Sequence, residues 1–289
     1  MQTVLNGLIS GLAIAVIALA FTIVYLPTRV FHVALGAVYA CVPFVVWAGT
    51  RSGWPWYATV LLALLVGTLI SILCEFLNHG RLEHKNASSS AHLVSSLGIY
   101  ILLIQAISLT WGNDSKVLRI GLDSVFEFGD LILTGAQILS LVVSLFLLIG
   151  FYLWLRFTNL GLQFRGLADN PAEMALRGYN IRRLRLLAFA VSGFMGSGVS
   201  LIMAFDLGFD PYSGLHMLIL AVVAMIIGGR QSFAGPVVGG VSLGVMRFGV
   251  VWYMSAQWQE TSTFLLLGGF LLLRPRGIFG QKDRLEADS

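Results

Sequence analysis

The feature that most constrains this chain is a succession of long apolar runs separated by short polar segments. A helix needs about 20 apolar residues to cross the hydrocarbon core of a bilayer. Eight runs approach that length and a ninth is shorter: 4–25, 33–48, 57–78, 92–111, 135–155, 186–205, 213–229, 236–254 and, last, 262–273. The sequence therefore predicts an all-α, polytopic membrane helix bundle with eight to nine spans, in which residues 1–289 form a single transmembrane domain.

The distribution of charge supports this prediction and adds an orientation. Charged residues make up only 11% of the chain and the mean hydropathy is +0.85, which excludes an ordinary soluble domain. If the 156–185 loop is cytoplasmic, most of the 18 lysines and arginines fall on the cytoplasmic side. Basic residues accumulate in cytoplasmic loops, so we expect the N-terminus outside and the C-terminus inside. The net charge of +4 then reflects topology and not a nucleic-acid partner.

The first apolar run and the spacing of the glycines both indicate a compact bundle. No lysine or arginine precedes Arg29, unlike in a signal peptide, so we expect the first run to remain as a helix. Glycines recur four residues apart, for example at Gly7 and Gly11 and at Gly240 and Gly244. Small residues at this spacing allow helix backbones to approach closely within a membrane.

A short polar segment within the 156–185 loop carries both boundaries of a helix. Asn170 is a good N-cap, and Pro171 suits the first helical position because it has no amide to leave unsatisfied. Glu173 is placed to close a capping box, and Gly178 to end the helix in a left-handed conformation. The resulting helix has about two turns, too few to be stable alone in water.

The apolar face of this helix must be covered by something. Its members are Ala172, Met174, Ala175 and Leu176. The helix could lie on the membrane surface, held by the nearby arginines at 182, 183 and 185. It could instead be a coupling helix that fits a groove on a cytoplasmic partner. The periodicity is compatible with both.

Four segments resemble a known family in sequence and in spacing. They are GLQFRGLADNPAEMALRGYNIRRLRLLAFAVSG at 161–193, FDPYSG at 209–214, IIGGRQSFAGPVVGG at 226–240 and LRPRGIFG at 273–280. Together they resemble the permease subunits of branched-chain amino acid ABC transporters of the LivH type. The resemblance implies a subunit of a bacterial inner-membrane importer, surrounded by lipid, that forms the translocation pathway.

The resemblance also implies partners and a role for the loop. It implies two cytoplasmic ATPase subunits, a second permease subunit that is a related heterodimer partner, and an extracytoplasmic solute-binding protein. In that family the helical part of the 156–185 loop contacts an ATPase subunit. The coupling residues that this implies are Asn170, Pro171, Glu173, Met174, Leu176, Arg177 and Gly178.

An absence in the sequence agrees with separate ATPase subunits. A phosphate-binding loop ends its glycine-rich turn in Lys followed by Ser or Thr. Lys85, Lys116 and Lys282 are followed by Asn, Val and Asp. We therefore expect a non-hydrolysing subunit with no catalytic residue, metal site or directly bound cofactor, and ATP and Mg on the partner subunits.

Two segments depart from the family pattern. The second span reads HVALGA at 32–37, where relatives read like N-F-A-H-G-E, so His32, Leu35 and Ala37 replace the expected polar residues. In the eighth span Arg247 stands where many relatives carry an acid. A guanidinium inside a membrane is costly unless it is paired or faces water, so Arg247 is either a structural ion pair or part of the substrate pathway. Glu75 is the one acid within a predicted span, but it lies near the cytoplasmic end of that span, so the sequence leaves the partner of Arg247 open. The pathway candidates are Arg247, His32, Leu35 and Ala37.

The solute and the class of protein leave alternatives open. The family favours neutral or branched-chain amino acids, while the altered charges leave urea, other amides and carboxylate solutes open. A self-contained carrier or channel is a second class, because such proteins also have intramembrane charges. An intramembrane protease is a third, since Gly196-Ser197-Gly198 could hold a nucleophile with His216 as its base.

Two further groups of polar residues have simple interpretations. His79 and His84 lie among charged residues, so we expect a solvated turn and not a metal site. His92 and His216 fall at helix ends. Acidic residues outnumber basic ones on the predicted outer face, which is either a solvated surface or a docking face for a soluble partner.

Overall fold

The computed structural model describes residues 1–118, 124–128, 131–274 and 277–279. Within these residues the protein is a bundle of helices with one small hairpin. The elements are α1 (Gln2–Thr28), α2 (Ala34–Arg51), α3 (Trp56–Leu73), a π-helical turn (Cys74–His79), α4 (Gly80–His84), α5 (Ser89–Trp111), β1 (Val125–Phe128), β2 (Leu131–Thr134), α6 (Gly135–Phe157), α7 (Asn159–Asp169), α8 (Pro171–Leu176), α9 (Ile181–Leu207), α10 (Ser213–Gly228), α11 (Gly235–Tyr253) and α12 (Trp258–Leu273).

The helices confirm a polytopic membrane protein. Seven helical segments in the described part of the chain are long and apolar enough to cross a bilayer, and α10 is apolar but shorter. The ninth predicted run forms α12, which has 16 residues. The count of eight to nine spans and the orientation therefore remain predictions.

The prediction of an exclusively helical fold missed the hairpin. Strands β1 and β2 pair in antiparallel register, with Val125 opposite Thr134 and Phe128 opposite Leu131. The Thr134 side chain then accepts from the Gln137 amide, and the Gln137 side chain accepts from the Thr134 amide, so that a capping box begins α6. The hairpin thus leads directly into a membrane-crossing helix.

Helix α1 is the centre of the bundle. Nearly all of its side chains from Gly11 to Val24 are buried, and it packs against α6, α9, α10 and α11. The glycine pattern explains its contact with α11: a side chain at Gly240 would collide with the backbone of Ala15, and one at Gly244 with the backbone of Gly11. The close packing predicted from glycine spacing is confirmed at this interface.

The π-helical turn Cys74–His79 extends α3 to form one continuous helical segment, Trp56–His84. A π-turn inserts a residue into the helical repeat and so changes which side chains face inward. Here it leaves Cys74, Glu75 and His79 buried, while Phe76 and Leu77 are exposed. An acid and an imidazole of this turn thus lie inside the bundle.

Candidate functional site

The segment between α6 and α9 folds as two short helices, each begun by a side-chain cap. The Thr158 hydroxyl accepts from the Gly161 amide at the start of α7, and the Asn170 side chain accepts from the Glu173 amide at the start of α8, at 3.1 Å. The Asn180 side chain accepts from the Arg183 amide as α9 begins. Gly178 has φ +83, the left-handed conformation predicted for the end of α8.

The carboxylate of Glu173 does not close the predicted capping box. It forms an i, i+4 ion pair with Arg177 across the exposed face of α8. Both side chains remain largely exposed, so the pair contributes little to stability. The helix is held by its caps and by packing.

The apolar face of α8 differs from the predicted one because only one of its four members is covered. Met174 is 9% exposed and packs against Leu167 of α7 and Leu184 of α9. Leu176 is 89% exposed, and Ala172 and Ala175 are also exposed. Met174 therefore anchors α8 to its own chain, whereas Leu176 projects freely.

A cavity of about 640 Å³ adjoins α8. Its polar lining includes Arg165 and Asp169 from α7, Arg177 and Tyr179 from the end of α8, and Gln231 from the loop before α11. The cavity thus lies among α7, α8 and the α10–α11 loop, and it gives this end of the molecule a concave surface of mixed polar and apolar character.

The start of α9 is bound to the end of α3 by a buried ion pair. Arg185 is 7% exposed, and its Nε donates to Glu75 at 2.6 Å while its Nη1 lies 3.1 Å from Glu83. The hypothesis that Arg185 faces lipid headgroups is therefore wrong, although Arg182 and Arg183 are exposed. Sequence analysis missed this pair because its partners are 110 residues apart.

The interpretation of His79 as part of a solvated turn is also wrong. Its ring is fully buried, stacks on His92 and lies near His32 and Phe189. The Nδ1 atoms of His79 and His92 are 3.2 Å apart. Within the described residues no cluster of three or more His, Cys, Asp or Glu side chains is placed to hold a metal ion. His84 is exposed, as predicted.

Three of the four pathway candidates are interior residues in this conformation. His32, Leu35 and Ala37 are fully buried. Burial and the neighbouring His79 hold the pKa of His32 well below its usual value, so the ring is neutral. The structure brings His32 next to His79 and not next to Arg247.

The fourth candidate, Arg247, is paired. It is 8% exposed, and its guanidinium donates to Glu260 at 2.8 Å and to the Thr263 hydroxyl at 2.9 Å. Glu260 in turn lies 3.6 Å from the imidazole of His216. The sequence offered Glu75 as a partner and not Glu260. Glu260 lies beside Arg247 because only a short turn separates α11 from α12.

His216 borders a second cavity, of about 410 Å³, among α2, α9 and α10. Its lining combines the polar residues Tyr39, Ser200 and Asp210 with apolar ones such as Met203 and Met217. Asp210 accepts from the amides of Tyr212 and Ser213 and so fixes the turn into α10. The cavity is thus formed partly by FDPYSG, one of the four segments that carry the family resemblance.

The geometry does not favour a protease. The Ser197 side chain is fully buried, and its hydroxyl donates to the Gly193 carbonyl of its own helix at 2.6 Å. Gly196 packs against Leu35, so the glycine has a packing explanation. His216 is instead at the start of α10, beside Glu260.

Comparison with known proteins identifies the family. Residues 3–273 match the family described as the permease component of branched-chain amino acid transport systems. The chain is 25% identical to the LivH permease protein of Escherichia coli K12, over 98% of this chain and 96% of that protein, and 26% identical to the BraD permease protein of Pseudomonas aeruginosa over the same shares. The autoinducer 2 import permease LsrC of an Enterobacter species is 24% identical over 92% of this chain and 77% of that protein.

A solved structure supports the fold. PsaBC from Streptococcus pneumoniae in complex with Fab aligns with a TM-score of 0.54 and 11% sequence identity, covering 96% of this chain and 94% of that one. The family match extends over residues 3–273, nearly the whole chain. The chain therefore belongs to the family of permease components of branched-chain amino acid transport systems.

Proposed function

We propose that this permease carries neutral, branched-chain amino acids across the bacterial inner membrane as one subunit of an ABC importer. Permeases of this family work with ATPase and solute-binding partners. We propose two cytoplasmic ATPase subunits, which would bind ATP and Mg, a second, related permease subunit and an extracytoplasmic solute-binding protein. The two LivH-type relatives, named for branched-chain amino acid transport, support this assignment.

The observation that carries the coupling proposal is the contrast between two residues of α8. Leu176 projects from the protein surface, while Met174, two positions earlier, is held between α7 and α9. An apolar side chain exposed on a rigidly capped helix is suited to enter a groove on a partner. In the proposed site, the ends of the helix are set by Asn170, Pro171 and Gly178. The polar surroundings of Leu176 would come from the ion pair of Glu173 and Arg177.

A path for the motion follows from the same contacts. Force on α8 would pass through Met174 to Leu184 on α9. The ion pair between Arg185 and Glu75 would carry it from α9 to the end of α3. ATP-driven closure of the ATPase subunits would thereby tilt two membrane helices together and change which side of the membrane the pathway faces.

The test replaces Leu176 with Asp and uses His84→Asp as the matched control. His84 is an exposed residue of α4, which the charge distribution also predicts to lie on the cytoplasmic side. Leu176→Asp should abolish ATP-dependent leucine uptake and the recovery of ATPase subunits in a gentle detergent purification, because a charge would enter an apolar groove. Amounts of the permease in the membrane should be unchanged, and His84→Asp should retain both properties.

Normal uptake and normal ATPase recovery in Leu176→Asp would overturn the coupling assignment. Met174→Asp is a poorer probe, because Met174 is buried within this chain and its replacement would disturb the packing of α7 against α9.

We also propose a pathway role for the cavity next to His216. Arg247 would act through Glu260 to position His216 at its edge. His32, Leu35 and Ala37 would join the pathway only in a second conformation in which α2 separates from its neighbours. Because Glu260 and Thr263 already occupy the Arg247 guanidinium, that group is not free to bind a substrate carboxylate in this conformation. The apolar part of the lining, including Met203 and Met217, favours an aliphatic side chain over urea.

A further inference from the structure

A groove of about 750 Å³ runs along one side of the bundle between α6 and α11, with α1 at its base. Its lining within the spans is apolar and includes Leu148, Ile149 and Leu155 from α6 and Val237 and Val238 from α11. Ile149 is about half exposed, so the groove is open at the surface. A surface of this kind is suited to an acyl chain.

One end of the groove is positively charged. Arg156 lies in the last turn of α6 and Arg165 lies on α7, and both are exposed and line the groove. The Arg156 guanidinium donates to the Tyr152 hydroxyl at 2.6 Å and lies near the ring of Phe157. Among the residues that the structure describes, neither arginine is paired with a carboxylate, and none of the groove-lining residues is acidic.

Two further groups favour an anion at the same end. Ser232 lines the groove, and α11 begins three residues later with its first backbone amides unpaired within the helix. The first turn of a helix favours negative charge. Phe233 closes the base of this end by packing against Phe151 and Phe164. A phosphate there would meet two guanidinium groups directly above an apolar channel.

We infer that the groove binds one anionic phospholipid, with its phosphate at Arg156 and Arg165 and an acyl chain along α6 and α11. The distribution of basic residues places this end of the groove on the cytoplasmic side, where anionic headgroups attract arginines. Two guanidinium groups that form no ion pair with a carboxylate among the described residues favour a lipid of net negative charge over a zwitterionic one.

A second copy of this chain is a poorer occupant. A two-fold contact through the groove would bring the same arginine-rich surface against itself, and the groove offers no acid to compensate.

The lipid has a structural consequence beyond binding. It would link α6, α7 and α11, and α7 carries Leu167, which holds Met174 of α8. The lipid would therefore stabilise the base of the coupling helix.

The test measures lipid retention by the purified permease complex and does not depend on transport. The complex is exchanged into equal amounts of phosphatidylglycerol and phosphatidylcholine in mild detergent, and bound lipids are counted by native mass spectrometry. Each basic residue near an anionic headgroup strengthens binding roughly fivefold. The protein should prefer phosphatidylglycerol, and Arg156→Gln with Arg165→Gln should reduce that preference to about parity.

Two further variants separate this site from general surface charge. Arg183→Gln is the matched control, because Arg183 is exposed on the same side and does not line the groove; it should retain the preference. Ile149→Trp leaves both arginines in place and fills the channel, so it should lower the number of retained lipids. Equal retention of the two lipids by the wild type, or an unchanged preference in the double variant, would overturn the inference.

The alternative occupant of the groove is a partner protein. Cysteine labelling in the assembled complex distinguishes a bound protein from a bound lipid. Ile149→Cys, in a variant with Cys41 and Cys74 replaced by Ala, should react with a lipid-soluble maleimide, because a bound lipid exchanges. Full protection of this cysteine in the complex would show that a protein covers the groove and would overturn the lipid assignment.

Discussion

At the scale of single residues, the buried ion pair between Glu75 and Arg185 ties the end of α3 to the start of α9. Removing two charges from water is costly, and such a pair persists only when its geometry and additional hydrogen bonds compensate. Arg185 contacts two carboxylates, those of Glu75 and Glu83. The exposed pair of Glu173 and Arg177 on α8 has the same chemistry but remains in water.

Glu75→Gln should therefore destabilise the protein by about 3 kcal/mol, at the low end for a broken buried pair because Glu83 still faces Arg185. Thermal unfolding in detergent measures this change. Glu173→Gln is the control and should scarcely shift the transition. Combining Glu75→Gln with Arg185→Gln should recover part of the loss, since no buried charge is then left alone; a double variant less stable than Glu75→Gln would contradict this account.

At the scale of helices, the contact between α1 and α11 depends on the absence of a side chain at two glycines of α11. Side chains at Gly240 and Gly244 would occupy the space of the α1 backbone, which cannot move aside as a side chain can. Gly249 lies on the same helix, but a Cβ placed there meets no neighbouring atom within 4 Å. Replacing a glycine should therefore cost much more stability at Gly240 or Gly244 than at Gly249.

Gly244→Val should separate α1 from α11, at a cost above the roughly 1–3 kcal/mol of ordinary overpacking, because the clash is with backbone. Size-exclusion chromatography in mild detergent should show loss of the monodisperse peak. Gly249→Val should elute like the wild type, and similar behaviour of the two variants would contradict the packing argument.

At the scale of the whole molecule, many exposed side chains of the bundle are apolar, and the predicted topology gathers most basic residues on one side of the membrane. Exposed leucines and phenylalanines cover α3, α5 and α6, as expected for surfaces in contact with lipid or another permease. The basic residues predict which end faces the cytoplasm.

The orientation can be tested with single cysteines in a variant lacking Cys41 and Cys74. Arg51→Cys and Lys85→Cys both replace exposed residues, which the charge distribution places on opposite sides of the membrane. A membrane-impermeant maleimide added outside intact cells should label the former and spare the latter. Labelling of Lys85→Cys alone would reverse the orientation.

How much could be predicted depended on the distance between the interacting residues. The ends of α8 follow from Asn170, Pro171 and Gly178, whose effects are local. Which apolar residue of α8 is buried depends on α7 and α9, so the sequence of α8 alone could not single out Met174. Glu75 and His79 are four residues apart and so share a helix face, but which face points inward depends on the helices that pack against it, and the sequence of this segment alone does not show that.

The central position of α1 also bears on how the chain is made. This helix leaves the ribosome early, yet α11, against which it packs most closely, is synthesised late. Until α11 has been synthesised, the face of α1 that carries Gly7 and Gly11 lacks the helix against which it packs in the folded protein. A chain interrupted before Gly235 would expose that face, so membrane quality-control proteases should degrade it. Because α11 is synthesised late, a chain should resist degradation only after α11 has been made and has packed against α1.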